Sequence, residues 1–327
     1  MIYIYNTSTD PSFNLAAEEY ILKNFSEDCF MLWRNTTAVI VGKNQNALAE
    51  INIEYVKENN IPVIRRLSGG GAVFHDLGNV NYTFITNDTD DFVNFSKFTS
   101  PIVSVLKDKL GINAELSGRN DLTINGQKFS GNAQYNYKNR VLHHGTLLFS
   151  SSISNISESL NVKPSKFQGK SVKSVKSRVT NISSHLSSAL TVNEFIDLTM
   201  DYVKLSDESN SEIYTFSQKD INAINLLRDE KYSTWDWNFG SSPKYNYTNE
   251  KRFTGGTVEI HLNVVKGYIE GCKIYGDFFS KKDVVDDELS LIGVKHTHND
   301  IYNILRSLDI NKYFSNITLE DLMEIIV

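Results

Sequence analysis

The residues best suited to chemistry lie in three short polar segments. The first, RRLSGGGAVFHDLGN, carries Arg65, Arg66, Gly69-Gly70-Gly71 and His75-Asp76. Glycine adopts positive φ without steric penalty, so a triple glycine can turn several backbone N–H groups toward one anion. Arg66 beside it supplies the forked cation that phosphate and carboxylate prefer. The second, GRNDLTINGQKFSGNAQ, holds Lys128 just after Asn125-Gly126, with Asp121 nearby. Lys128 is a compact positive charge suited to oxygens whose charge grows in a transition state. Asp121 is a carboxylate that could approach Mg²⁺ or, through a cation, a phosphate. The third, HHGTLLF, contains His143 and His144. Plainer readings stand beside these. An isolated triple glycine is more often a turn flanked by surface arginines. Lone strand histidines such as His75 and His144 are usually hydrogen-bonded structural residues, and Asp76 has equal claim to being a turn residue. Arg65 is expected to face solvent.

The elements that must position these residues follow from periodicity and caps. Ile2–Tyr5 reads as a strand. Asp10 then caps a helix that opens at Pro11 and runs to Phe25, on which Glu18 and Glu19 are expected to be solvated or capping. Cys29–Trp33 and Ala38–Val41 read as buried strands, and Asn52 caps a short helix to Asn59. The apolar run Ile61–Ile64 enters the glycines and resumes as Ala72-Val73-Phe74, a strand–glycine loop–strand unit. Asn79–Thr86 has strong strand propensity. Pro101 is expected to start a helix capped by Ser100 and ended by Gly111. Ile112–Leu116 and Leu122–Ile124 are further strands, and Asn125-Gly126 is a two-residue hairpin signal that sets Lys128 on a rigid element. Val141–Ser150 is another strand. The resulting pattern is α+β, a mixed sheet with helices on one side.

Beyond Ser150 the composition shifts. KPSKFQGKSVKSVKSR is basic with no acidic residue, and serves either as a solvated loop or as an anion- or partner-facing segment. Thr191 with Glu194 forms a capping box for a helix to about Leu205, and Ser217 opens another to about Arg228. TWDWNFGSSPKYNY reads as a junction dividing residues 1–246 from a small α+β unit, 247–327. In that unit Val258 to Val264 alternate as a half-buried strand, Lys266-Gly267 turns the chain into Tyr268–Tyr275, and helices follow. His296 and His298 lack a partner cluster and are expected at the surface.

Composition narrows the class. The 327 residues carry a net charge of −6, which argues against a general nucleic-acid binder. Five prolines against 18 Phe and 16 Tyr suit a substantial globular core. The two cysteines, Cys29 and Cys272, stand far apart and fit buried thiols in a reducing, cytoplasmic setting. No stretch reads as a signal peptide or membrane span.

Taken together and in this order, DPSFNLAAEEY, the glycine segment, GRNDLTINGQKFSGNAQ, HHGTLLF and SVKSRVTNIS resemble the motif set of lipoate–protein ligases over nearly the whole chain. The resemblance implies a large mixed-sheet domain of the biotin/lipoate ligase type with a smaller α+β accessory domain. It implies an ATP- and Mg²⁺-dependent enzyme with no tightly bound prosthetic group, which converts lipoate to lipoyl-AMP and then acylates a lysine of lipoyl-domain acceptor proteins. Acceptors of that kind are 2-oxoacid dehydrogenase subunits and the glycine-cleavage carrier protein; octanoate stays open as a second acid. Carried onto this sequence, the resemblance makes Lys128 catalytic, in contact with the acyl carboxyl oxygen and the α-phosphate. It places Arg66, Gly71, Ala72, Val73, Phe74, Lys128 and Asp121 at ATP or the adenylate, with Asp121 toward Mg²⁺. Leu15, Ala17, Arg66, His75, Lys128 and His144 fall at lipoate. The SVKSR segment would order around the nucleotide. Other readings are an ATP-independent lipoyl or octanoyl transferase, a biotin ligase, or a catalytically silent relative. A cysteine-dependent transferase would need a thiol in the pocket, and neither cysteine looks placed for that.

Overall fold

The computed structural model describes residues 1–45, 47–87, 92–160, 179–206, 213–239, 247–265 and 268–326. The basic run 163–178 and the Lys266-Gly267 turn therefore lie outside the described residues.

The chain opens with strand β1 (Ile2–Asn6) and helix α1 (Pro11–Asn24), capped by the Asp10 side chain on the Ser12 N–H. Strands β2 (Cys29–Trp33), β3 (Ala38–Val41), β4 (Val63–Arg65), β5 (Val73–His75) and β6 (Asn79–Thr86) follow. After them come β7 (Ala114–Ser117), β8 (Asp121–Ile124), β9 (Gln127–Tyr137) and β10 (Arg140–Leu148). Seven of these make a mixed sheet in the order β1-β2-β6-β10-β9-β8-β7, with β1 and β2 parallel and the other pairs antiparallel. Three make a small sheet in which β3 lies between β4 and β5, so the glycine segment crosses over β3 rather than closing a hairpin.

Helices cover both faces of the large sheet, not one as expected. Strand alternation explains this, because β2 is buried on both sides. Phe30 and Leu32 point into a core filled by the helices Phe95–Leu110 and Val192–Leu205. Cys29, Met31 and Trp33 point into a second core filled by α1. Another difference is Pro101, which sits inside the helix Phe95–Leu110 instead of starting it. Asn94 caps that helix through the Lys97 N–H, and Phe95 and Phe98 are buried in its first turns. That packing outweighs the hydrogen bond a mid-helix proline removes. The Gly111 terminus, left-handed at φ 66°, and the Thr191–Glu194 capping box are as the sequence suggests.

The C-terminal unit is a smaller α+β layer. Strands β11 (Tyr247–Phe253), β12 (Gly256–Val265) and β13 (Tyr268–Gly276) form an antiparallel sheet. Val258, Ile260 and Leu262 are fully buried against the helices Val285–Leu291, His298–Leu305 and Leu319–Ile326. Of the aromatic connector's described residues, Trp235–Asn238 forms a short helix and only Tyr247 enters β11. His296 Nε2 meets the Ile326 carbonyl at 2.6 Å, and His298 stacks on Tyr302. No helix among the described residues is long and apolar enough to cross a membrane.

Candidate active site

A cavity opens between the two sheets, with some 600 Å³ of empty space counted together with its open mouth. Its floor is a row of residues across the large sheet. Gly131 of β9 donates its N–H to Thr146 Oγ1, Thr146 of β10 is paired with Asn81 of β6, and Asn81 with Trp33 of β2. From β9 to β2 is three strand spacings, roughly 14 Å at ~4.8 Å each. Leu15, Trp33, Ile40 and Val73 make the β2 end apolar, while Lys128 and Asn120 mark the other end.

Lys128 reaches this cavity because of a bulge. Asn125 (φ 52°) and Gly126 (φ 76°) form the tight turn, after which Lys128 pairs with Thr123 but Ser130 pairs with Leu122. Phe129 is the extra residue. An odd separation then puts Lys128 and Gly131 on one face, which strict alternation forbids. A Cβ on Gly131 would sit 3.0 Å from the Lys128 ammonium, so the glycine leaves it room. Lys128 Nζ lies 2.7 Å from Asp121 Oδ1, both side chains half-exposed.

The glycine loop is held from inside. Arg66 is 5% exposed, and burial draws its pKa down to about 10. Its Nε donates to Ser68 Oγ (3.0 Å), Nη1 to the Ile40 carbonyl, and Nη2 to the carbonyls of Gly69 and Gly71 (2.6 and 2.9 Å). Arg66 lines the cavity, yet most of its donors fix the loop's shape. Arg65 does not face solvent. It is 7% exposed and donates to the carbonyls of Gly42, Lys43, Gln45, Trp237 and Asn238. Gly42 is required here, since a Cβ would lie 2.0 Å from the Gly70 carbonyl oxygen.

Glu18 and Glu19 are likewise buried rather than solvated, at 3% and 1% exposure. Glu18 accepts from Thr83 Oγ1 at 2.6 Å and from His144 Nδ1 at 2.9 Å. His144 Nε2 in turn meets Ser68 Oγ at 2.6 Å. Arg66, Ser68, His144 and Glu18 therefore form one directed relay. Its Ser-His-Glu connectivity is that of a hydrolytic triad, but Ser68 is fully buried and off the cavity wall. The relay positions the loop. Glu19 is held by Lys23, Lys231 and Tyr232 at 2.5, 2.8 and 2.6 Å. Burial raises its pKa, but the Lys231 charge and these hydrogen bonds leave it lowered overall.

Two findings fix the family. Residues 10–204 match the lipoyl protein ligase A/B catalytic domain, and residues 242–326 match the bacterial lipoate protein ligase C-terminus. The chain is also 45% identical to the lipoate-protein ligase LplJ of Bacillus subtilis, across 100% of both chains. This chain belongs to the lipoate–protein ligase family. Among solved structures, the ligase resembles P. falciparum LipL1 in complex with lipoate, with a TM-score of 0.79, 28% identity and coverage of 99% and 97% of the two chains. It also resembles a lipoate-protein ligase A bound with ATP, with a TM-score of 0.64, 25% identity and coverage of 73% and 98%.

Of the residues singled out from the ligase's sequence, Leu15, Arg66, Gly71, Ala72, Val73, His75, Lys128 and His144 line one cavity. Asp121 joins through Lys128. Phe74 and Ala17 do not line it, for reasons of periodicity. On β5, Val73 and His75 face the cavity while Phe74 turns into the core behind β3. On α1, Ala17 is two residues and 200° of helix from Leu15 and packs in the core. Trp33, Asn81, Thr146 and Gly131 were not anticipated as wall residues. Asn81 had a signal, since Asn79, Asn81 and Thr83 alternate through an otherwise apolar strand. Asp121 is a single carboxylate, and among the described residues no three Asp, Glu, His or Cys side chains gather as a metal site. That fits an Mg²⁺ ion whose other ligands are phosphate oxygens and water.

Proposed function

We propose that this ligase joins lipoate to ATP and passes the lipoyl group to a lysine of a lipoyl-domain protein. The observation that carries this reading is the polarity of the cavity. The cavity runs from an end walled by Leu15, Trp33, Ile40 and Val73 to the Lys128 ammonium, beside the glycine loop. A lipoate carboxylate oxygen attacks the α-phosphorus of ATP, a C–O–P anhydride forms, and pyrophosphate leaves. The acceptor amine then attacks the acyl carbon, the amide forms, AMP departs and the amine loses its proton to solvent. Lys128 holds the carboxylate and α-phosphate oxygens together in the first step and stabilises departing AMP in the second. Mg²⁺ at Asp121, bound with ATP, would supply neutralising charge for the phosphates. Neither cysteine lines the cavity, and burial pushes Cys29 up to about 12, so no thiolate is on hand for direct acyl exchange. We assign the chemistry to residues 1–246 and an accessory role in closure and acceptor access to 247–327.

The test is pyrophosphate release by purified ligase. It should require lipoate, ATP and Mg²⁺ together, and lipoylated acceptor should appear only after adenylate forms. Efficient acyl transfer from an acyl-carrier protein without ATP would overturn the reading.

A further inference from the structure

Two nitrogen atoms in the cavity wall are buried with nothing to bond to. His75 Nε2 and Asn81 Nδ2 have no hydrogen-bond partner among the described residues, and the two residues are 3% and 2% exposed. Both residues line the cavity. Native proteins seldom leave such groups unpaired unless a ligand or water completes them.

A chain of asparagines fixes what His75 offers. Asn14 Nδ2 donates to the backbone carbonyls of Ser8 and Arg34 at 2.9 and 2.8 Å, which sets the orientation of that amide. The same nitrogen lies 2.8 Å from Asn35 Oδ1, its two hydrogens being shared among three oxygens, since an amide nitrogen there could not accept. The Asn35 nitrogen is then the atom 3.0 Å from His75 Nδ1. An amide nitrogen donates and does not accept, so Nδ1 holds the lone pair and the ring proton sits on Nε2. Burial draws the His75 pKa down to about 3, which keeps the ring neutral near pH 7. Asn81 Oδ1 accepts from Asn79 Nδ2 at 2.9 Å, which leaves Asn81 Nδ2 and Asn79 Oδ1 each without a partner among the described residues.

Both groups belong to the apolar end. The His75 ring packs edge-on against Trp33 at 6.2 Å between centroids, and Asn81 is the register partner of Trp33. With the acid's carboxylate at Lys128, these donors meet the far end of the acyl chain. A straight alkyl tail leaves both unpaired. A dithiolane ring presents two sulfur atoms, weak acceptors but acceptors nonetheless.

We propose that His75 Nε2–H, together with Asn81 Nδ2–H, donates to the dithiolane sulfurs and so sets the ligase's preference for lipoate over acyl chains without an acceptor there. The inference rests on the ligase reading above. Burial alone separates such acids poorly, because their methylenes contribute alike. A site with buried donors discriminates against a ligand that leaves them unpaired.

The probe is 5-cyclopentylpentanoate, which is lipoate with each ring sulfur replaced by a methylene. Pyrophosphate release with ATP should favour lipoate over it in kcat/KM by about 3- to 10-fold, the worth of ordinary hydrogen bonds. His75→Leu and Asn81→Leu should each shrink that ratio, with more activity lost on lipoate than on the cyclopentyl acid. Equal kcat/KM for the two acids in the wild-type ligase would overturn the proposal. So would a ratio that survives in a folded variant, and Asn81→Leu decides if His75→Leu does not fold. Pyrophosphate release with neither acid would instead count against the ligase reading, which keeps the two failures apart.

Discussion

In and behind the cavity wall, Glu18, Arg65, Arg66, His75, His143 and His144 are all buried, and every one of them is hydrogen-bonded. In the C-terminal unit the core is almost wholly apolar, and Asp287 is buried at 1% exposure with neither carboxylate oxygen paired. The first region uses buried polarity to hold a loop and a set of donors in place before any substrate arrives. The second packs mainly by apolar contact and meets the first through backbone carbonyls, an aromatic pair and the Lys43–Asp283 ion pair at 2.8 Å. Gly276 donates to the Asn44 carbonyl, Arg119 to those of Gly255 and Asp277, and Phe279 packs on Phe95 at 5.2 Å between centroids. Preorganisation is costly where chemistry is done, and a docked cover needs only shape.

If that division is right, the largest loss should come from a side chain that packs nothing. Lys128 is half-exposed, so Lys128→Ala should fold normally. Its adenylation rate should fall by about 10²–10³, the scale of losing one preorganised donor. Transfer from supplied lipoyl-AMP should slow less, because the anhydride is already activated. Lys128→Arg should not restore adenylation, since a planar fork is a poor substitute for a compact ammonium. Near-wild-type pyrophosphate release by folded Lys128→Ala would remove Lys128 from the mechanism.

A second test falls on the surface where the regions meet. A Cβ on Gly69 would lie 2.1 Å from the Phe278 carbonyl oxygen, backbone against backbone, whereas Gly71 has nothing within 4 Å. Gly69→Ala should therefore push the segment around Phe278 off the glycine loop and destabilise the protein by about 1–3 kcal/mol. Gly71→Ala should be nearly silent in thermal unfolding. Equal melting temperatures for the two variants would show that the docked arrangement contributes no stability.

The same contrast explains what could be read from the sequence. The turn at Asn125-Gly126, the strand–loop–strand unit and the capping box were legible because each depends on neighbours within a few residues, whereas Lys128 was singled out through the family resemblance. The bulge at Phe129 was not legible, since only the partner strand reveals that Leu122 skips to Ser130. Glu18 was misjudged for a related reason. Helical charges usually face water, and nothing local shows that Thr83 and His144 wait opposite it. Arg65 looks the same as any surface arginine until five carbonyls from distant segments close around it.

The smallest effect, and the one that separates the regions most directly, is the sign of their response to acid. Burial lowers His75, in the cavity wall, to about 3, and His143, stacked on Phe98 on the other face of β10, well below its ordinary value. Between about pH 6.5 and 3 the unfolded chain therefore binds more protons there than the folded one, and stability is lost as pH falls. In the C-terminal unit, burial raises Asp287 to about 7, with the charges of Asp286 and Glu288 adding to it. From about pH 4 to 7 the folded state holds the extra proton, so stability is present at low pH and is lost as pH rises. Moving the whole chain from pH 7 to pH 5 should thus loosen β5 and β10 while tightening β13 and the helix Val285–Leu291. Hydrogen exchange, corrected for its intrinsic pH dependence, reads the two regions in one experiment. Asp287→Asn should reduce the tightening, leaving the part due to the Glu288 carboxyl that burial also raises, and should leave the loosening around His75 and His143 unchanged, because the substitution lies in the C-terminal unit. If both regions loosened together on acidification in wild type and variant alike, Asp287 would have to be paired in solution, and the contrast between a preorganised wall and an apolar cover would lose its electrostatic half.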